Sequence, residues 1–168
     1  ILVIVFLADL FMKGEKKHAT LSMLTCVLLV AQVALCFTAQ PAEAFAGLYT
    51  ATAAAQVMKV ILTAGAFIVV VMAQSWIERE DVLRKEGEFY ELVISTLLGM
   101  YMMISSGHFL MFFLGLEMAS VPMACLVAFD KYKKESAEGA AKFVLTATFS
   151  SGVMLYGISF LYGACGTL

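Results

Sequence analysis

The sequence predicts an all-α integral membrane protein, a polytopic bundle of five full transmembrane helices plus one truncated first helix. Three observations carry this. The 168 residues are 62% hydrophobic and only 14% charged, whereas soluble domains are about 45–50% apolar and about 25% charged. Apolar runs recur near the ~20 residues needed to cross a hydrocarbon core of ~30 Å. Basic residues collect in alternate gaps between those runs. The mean hydropathy of +0.92 agrees. No run alternates apolar with polar residues, which excludes a membrane β-barrel. A net charge of −2 argues against a nucleic-acid partner.

The chain reads as a single bundle over 1–168. Residues 1–12 are apolar but too short to span. They open on Ile1-Leu-Val-Ile-Val-Phe with no initiating Met and no basic n-region, so the first element is expected to be the remainder of a longer helix, and the chain a fragment. Residues 20–37 form the first full span. Residues 49–75 follow as the second full span, closing near Trp76. Residues 89–106 and 108–129 are separated by almost nothing, which predicts a tight helical hairpin. Residues 137–162 make the last span, and the mixed charges between Trp76 and Gly87 predict a solvated turn.

Basic residues then set the topology. Lys13, Lys16 and Lys17 fall in the first connection, Arg79, Arg84 and Lys85 in the third, and Lys131, Lys133 and Lys134 in the fifth. The second and fourth connections hold none. Positive-inside bias places loops 13–18, 76–88 and 130–136 in the cytoplasm and the N-terminus outside. Tyr49, Trp76, Tyr132 and Tyr162 lie near segment ends, where amphipathic rings sit at the membrane interface.

Two bases remain inside spans, Lys59 and Lys142; the carboxylates singled out beside them are Glu117 and Glu138. Glu117 is the costliest. An acidic residue at a helix centre costs roughly 2.5–3.5 kcal/mol, and each apolar neighbour returns only about 0.3–0.6 kcal/mol. An intramembrane ionisable group is by default a functional-site hypothesis. Lys59 and Glu117 are expected at similar depths near the midplane, roughly 12–15 Å from the outer helix ends. The competing reading for that pair is an ion pair that merely orients helices. Lys142 follows Glu138 by four residues, the favourable order for a helical ion pair; its competing reading is a snorkelling anchor. Pro122, with Gly115 and Ser120, predicts a local weak point beside Glu117.

Other candidates are weaker. Cys26, Cys36, Cys125 and Cys165 have no metal-site spacing and read as small buried hydrophobes. His18 falls in a cytoplasmic loop and His108 at an outer helix end, neither positioned as a haem or metal ligand. Gly99, Gly152 and Gly157, with Ser150 and Ser151, read as close helix contacts. There is no phosphate loop, dinucleotide fingerprint or nucleophile constellation.

The stretch Gly87-Glu-Phe-Tyr-Glu-Leu-Val-Ile-Ser-Thr-Leu-Leu-Gly-Met resembles the fourth helix of an antiporter-like subunit of respiratory complex I, the proton-pumping NADH:quinone oxidoreductase. Phe113-Leu-Gly-Leu-Glu117-Met-Ala-Ser120-Val-Pro122 is similar to that family's glutamate-bearing fifth helix, and Ser136-Ala-Glu138-Gly-Ala-Ala-Lys142-Phe to its sixth. The resemblance implies the N-terminal part of a fold of about fourteen helices built from repeats. It implies a proton-translocating membrane subunit contributing the first part of a half-channel, in a bacterial inner membrane. Glu117 would tune lysine protonation, with its usual partner on a seventh helix. Glu138 and Lys142 would form the sixth-helix acid–base pair, and Lys59 a third-helix lysine. One departure is Thr52, or a nearby Ala, where the family often has an aspartate. No cofactor is expected in this chain: NADH, FMN, Fe–S clusters and quinone belong to other subunits. The expected partners are the other membrane subunits, the bilayer and protons. The alternatives are a monovalent cation/proton antiporter subunit and a membrane scaffold.

Overall fold

The computed structural model describes residues 1–12, 17–38, 42–45, 47–77, 85–130 and 133–166. Among these, six helices and one short hairpin follow in chain order. They are α1 (Leu2–Phe11), α2 (Lys17–Thr38), β1 (Ala42–Ala44), β2 (Tyr49–Ala51), α3 (Ala53–Ile77), α4 (Glu86–Ile104), α5 (Phe109–Val127) and α6 (Lys134–Cys165). Lys13, Lys16, Arg79, Arg84, Lys131 and Tyr132 lie outside the described residues, as do the side chains of Lys17 and His18.

Among the described residues four helices are long and apolar enough to cross a membrane: Ala19–Thr38 within α2, and α3, α5 and α6. The expected span at 89–106 is the one that departs. Its helix starts earlier, and Glu86, Glu88 and Glu91 occupy its first two turns, which shortens the apolar stretch. α4 is instead the most enclosed helix, packing against α1, α3 and α5. The start of the third span is also corrected. Residues 49–51 are strand, paired antiparallel with β1 through Ala42↔Ala51, Glu43↔Thr50 and Ala44↔Tyr49. α3 begins only after Thr52, whose Oγ1 accepts the Ala55 N–H at 3.2 Å as an N-cap. Residues 49–52 combine β-branched and aromatic types before an alanine run, so local propensity changes there.

The tight hairpin of α4 and α5 is held by glycine. A methyl group at Gly99 would run into the backbone of Met118 and Ala119, and one at Gly115 would sit 2.7 Å from the Met103 nitrogen and 2.9 Å from the Gly99 carbonyl oxygen. The two backbones therefore touch directly, the arrangement small residues permit between membrane helices. Gly115 is thus packed, and α5 runs unbroken through buried Pro122, so the expected weak point is no break in the helix. Gly152 and Gly157 were expected to make the same kind of contact. Among the described residues they do not, since a methyl at either meets nothing within 4 Å.

At the end bearing the basic connections, Trp76, Phe89 and Phe129 form a ring cluster with centroids 5.8–6.0 Å apart. It joins the end of α3, the start of α4 and the residues after α5. Ile77, Glu86 and Gly87 are buried there, so both described flanks of the expected solvated turn are enclosed. At the opposite end the hairpin is sewn to the α4–α5 connection. Thr50 N–H donates to the Ser105 carbonyl and Gly107 N–H to the Leu48 carbonyl, each at 2.8 Å. Gly107 approaches the Gly47 carbonyl so closely that no side chain fits.

The core is small. Val5, Leu21, Leu29, Val70, Ile77 and Tyr90 are fully buried, while Phe11, Met72, Leu145 and Phe149 are among many large side chains facing outward. That inversion suits a bundle whose solvent is hydrocarbon.

Gly99→Ala should destabilise the helix pair by about 1–3 kcal/mol through overpacking. Gly152→Ala should be neutral or slightly stabilising, because Ala gains about 1 kcal/mol in helix propensity. Thermal unfolding of the detergent-solubilised protein, followed by circular dichroism, separates the two.

Candidate functional site

The intramembrane charges lie in three separate places. Glu117 sits on the face of α5 that turns toward α6. There it lines a groove of about 670 Å³. Ser120, Val121, Ala124, Cys125 and Ala128 continue that wall, and Ala141, Val144, Leu145 and Thr148 of α6 face them. Apart from Glu117, the only side-chain polar oxygens in this lining belong to Ser120 and Thr148. Ser120 Oγ donates back to the Glu117 carbonyl at 3.2 Å. Pro122 has no N–H to offer the Met118 carbonyl. The helix beside Glu117 is therefore short of a backbone hydrogen bond while keeping its course. The Glu117 carboxylate has no ion pair among the described residues.

Gly99 fixes this geometry. Because α4 presses on the α5 backbone at Met118 and Ala119, the adjacent Glu117 is turned away from α4 and toward the groove.

Lys59 is buried, with 6% of its surface exposed. Its Nζ donates to Tyr49 Oη at 2.8 Å. It lies 5.0 Å from the centre of the Tyr49 ring and 5.7 Å from that of Tyr101, within reach of cation–π attraction. Thr63 Oγ1 donates to the Lys59 carbonyl at 2.6 Å and shares a hydrogen bond with Tyr101 Oη. The Lys59–Glu117 ion pair that a purely orienting role requires is not formed. α4 packs against both α3 and α5, and each charge faces its own surroundings.

Lys142 Nζ binds Glu138 Oε1 at 2.5 Å, as the four-residue spacing predicts. Both side chains are exposed. Lys142 is absent from the groove wall, so the fold does not bring it to Glu117.

Sequence reasoning missed Tyr49 and Tyr101 as partners of Lys59. Tyr49 was legible only as an interface aromatic, because the hairpin that folds it over Lys59 has no strong turn motif. The cysteine expectation holds in part: Cys36 is buried and Cys26 half-buried, but Cys125 and Cys165 are exposed. His108 caps α5 by accepting the Leu110 N–H at 3.2 Å on Nδ1.

Three comparisons bear on these elements. The family model described as NADH:quinone oxidoreductase/Mrp antiporter, TM matches residues 106–168. The chain is 53% identical over 168 residues to NADH-quinone oxidoreductase subunit N of Phocaeicola vulgatus, covering 100% of this chain and 35% of that one. It is 43% identical over 170 residues to the subunit N of Azobacteroides pseudotrichonymphae, covering 99% and 35%. Among solved structures, respiratory complex I from Thermus thermophilus with bound aureothin contains a chain that matches with a TM-score of 0.81 and 26% identity, covering 99% of this chain and 36% of that one. The chain thus spans about a third of the length of the relatives it matches.

A membrane-permeant maleimide should label Cys125, which lines the groove, and spare Cys36 in the folded protein. Mass spectrometry of the labelled peptides checks this. Faster labelling of Cys36 than of Cys125 would contradict the packing of α2.

Proposed function

The chain belongs to the antiporter-like membrane subunits of NADH:quinone oxidoreductase, and from that premise we propose that it contributes the first part of a proton half-channel to a redox-driven proton translocase. The observation that carries this reading is the Glu117 carboxylate, held in an otherwise largely apolar groove within a membrane span. A carboxylate at that depth is expensive unless it has a task or a cationic partner.

The chemistry proposed for Glu117 is electrostatic. A cation brought to the groove favours the ionised carboxylate, and its withdrawal favours proton uptake. In the full-length protein a lysine of a following helix would supply that cation, entering from the open side of the groove. Glu138 and Lys142 would act as a second acid–base pair at the basic-loop end of α6, and Lys59 as a third titratable position. The redox chemistry, with NADH, FMN, Fe–S clusters and quinone, would reside in other subunits. The partners are other membrane subunits of the complex and the bilayer. The bacterial inner membrane holds the chain with loops 13–18, 76–88 and 130–136 in the cytoplasm and the N-terminus outside. The family description also embraces Mrp antiporters, so the second reading is a monovalent cation/proton antiporter subunit. Reconstitution showing cation-driven proton flux without NADH would favour it.

In the assembled, full-length complex, Glu117→Ala and Glu117→Gln should slow proton translocation coupled to NADH oxidation roughly tenfold, equivalent to about 1.4 kcal/mol in a barrier. Assembly, judged by native electrophoresis, should be unchanged. Undiminished pumping in an assembled variant refutes the role. A loss of assembly with unchanged pumping per complex would make Glu117 a scaffold charge.

A further inference from the structure

A second buried site stands apart from the groove, and its arrangement is chemically specific. Lys59 Nζ is enclosed by neutral groups: the Tyr49 phenol of β2 and the Tyr101 phenol of α4. α2 brings Cys36, buried, to the same region. Thr63 of α3 completes the cluster. Among the described residues no carboxylate pairs with this ammonium. Glu43 pairs in register with Thr50 and so lies on the other face of the hairpin from Ala44 and Tyr49. His108 is engaged as the α5 cap. Among the described residues this ammonium is held by a phenol oxygen and two ring faces, so the phenol is the hydrogen-bonding group in direct contact with it.

Tyr49 is the way out of this site. It is half-buried while Lys59 is buried, so the amine meets the surface through the phenol. The strand that carries Tyr49 is fixed by the Thr50–Ser105 and Gly107–Leu48 backbone hydrogen bonds. Its position over Lys59 is therefore built rather than incidental. The phenol reflects the contact. Burial alone would raise it, but the hydrogen bond of Lys59, with that of Ser105 and the Lys59 charge, outweighs burial and leaves it below its ordinary range.

We propose that Lys59 and Tyr49 form a proton-exchange site at the end of the bundle opposite the basic connections, with Tyr49 relaying the proton between the buried amine and water. The inference rests on the reading that this chain conducts protons. The step balances: Lys59 Nζ gives its proton to Tyr49 Oη as Tyr49 gives its own hydroxyl proton to an outside water. The amine is left neutral, the phenol is unchanged and one hydronium forms. The reverse order loads the amine.

The test uses the assembled full-length complex in sealed vesicles, reading proton translocation against NADH oxidation. Tyr49→Phe keeps the ring against the ammonium and removes the relaying oxygen. It should lower translocation roughly tenfold at unchanged assembly. Tyr49→His restores a transferable proton and should recover translocation with a new inflection near pH 6.5, the ordinary range of imidazole. A structural clamp would show no such inflection. Full-rate translocation in assembled Tyr49→Phe overturns the proposal, and so does an assembled Tyr49→His complex with the parental pH profile. Glu117→Gln, measured in parallel, separates the two readings. If it too pumps at the parental rate, the half-channel reading fails. If it is impaired while Tyr49→Phe is not, only the relay fails.

Discussion

The direct backbone contact between α4 and α5 at Gly99 and Gly115 is the constraint on which the other features hang. In hydrocarbon there is little hydrophobic gain from bringing two apolar helices together, so close packing must supply the attraction. Removing side chains from the seam lets the two main chains approach. It also sets the rotation of α5, which turns Glu117 toward α6. The same hairpin supplies the Ser105–Gly107 connection to which β2 is bonded. One contact thus orients both the groove carboxylate and the phenol above Lys59.

The bundle meets the cost of its intramembrane charges in different ways. Lys59 is surrounded by two aromatic rings and a phenol oxygen. Glu138 and Lys142 neutralise each other along one helix face. Glu117 alone faces a largely apolar space. The first two charges find their partners within this chain, whereas the third has no ion pair among the described residues.

Much of this was legible in the sequence. The helices, their order and the tight α4–α5 hairpin follow from run lengths and from the near absence of a connection between two apolar stretches. The Glu138–Lys142 pair follows from helical spacing alone. Two of the readings that needed correction share one cause. Gly152 and Gly157 look like Gly99 in sequence, but whether a glycine is a contact depends on what faces it. Residues 49–51 look like the start of an apolar span, yet they bond to a connection more than fifty residues later in the chain.

The sequence by itself determined the class, most of the spans and the identity of the costly charges, because hydropathy and 3.6-residue periodicity are local properties of the chain. It also carried the family resemblance, through motifs that lie within single helices. Only the tertiary structure decided the neighbours: that Lys59 answers to Tyr49 and Tyr101, that Glu117 is kept from Lys59 by α4, and that Lys142 faces away from the groove. Those outcomes depend on helix rotation and on a backbone seam between distant residues, and neither leaves a periodic trace in the order of amino acids.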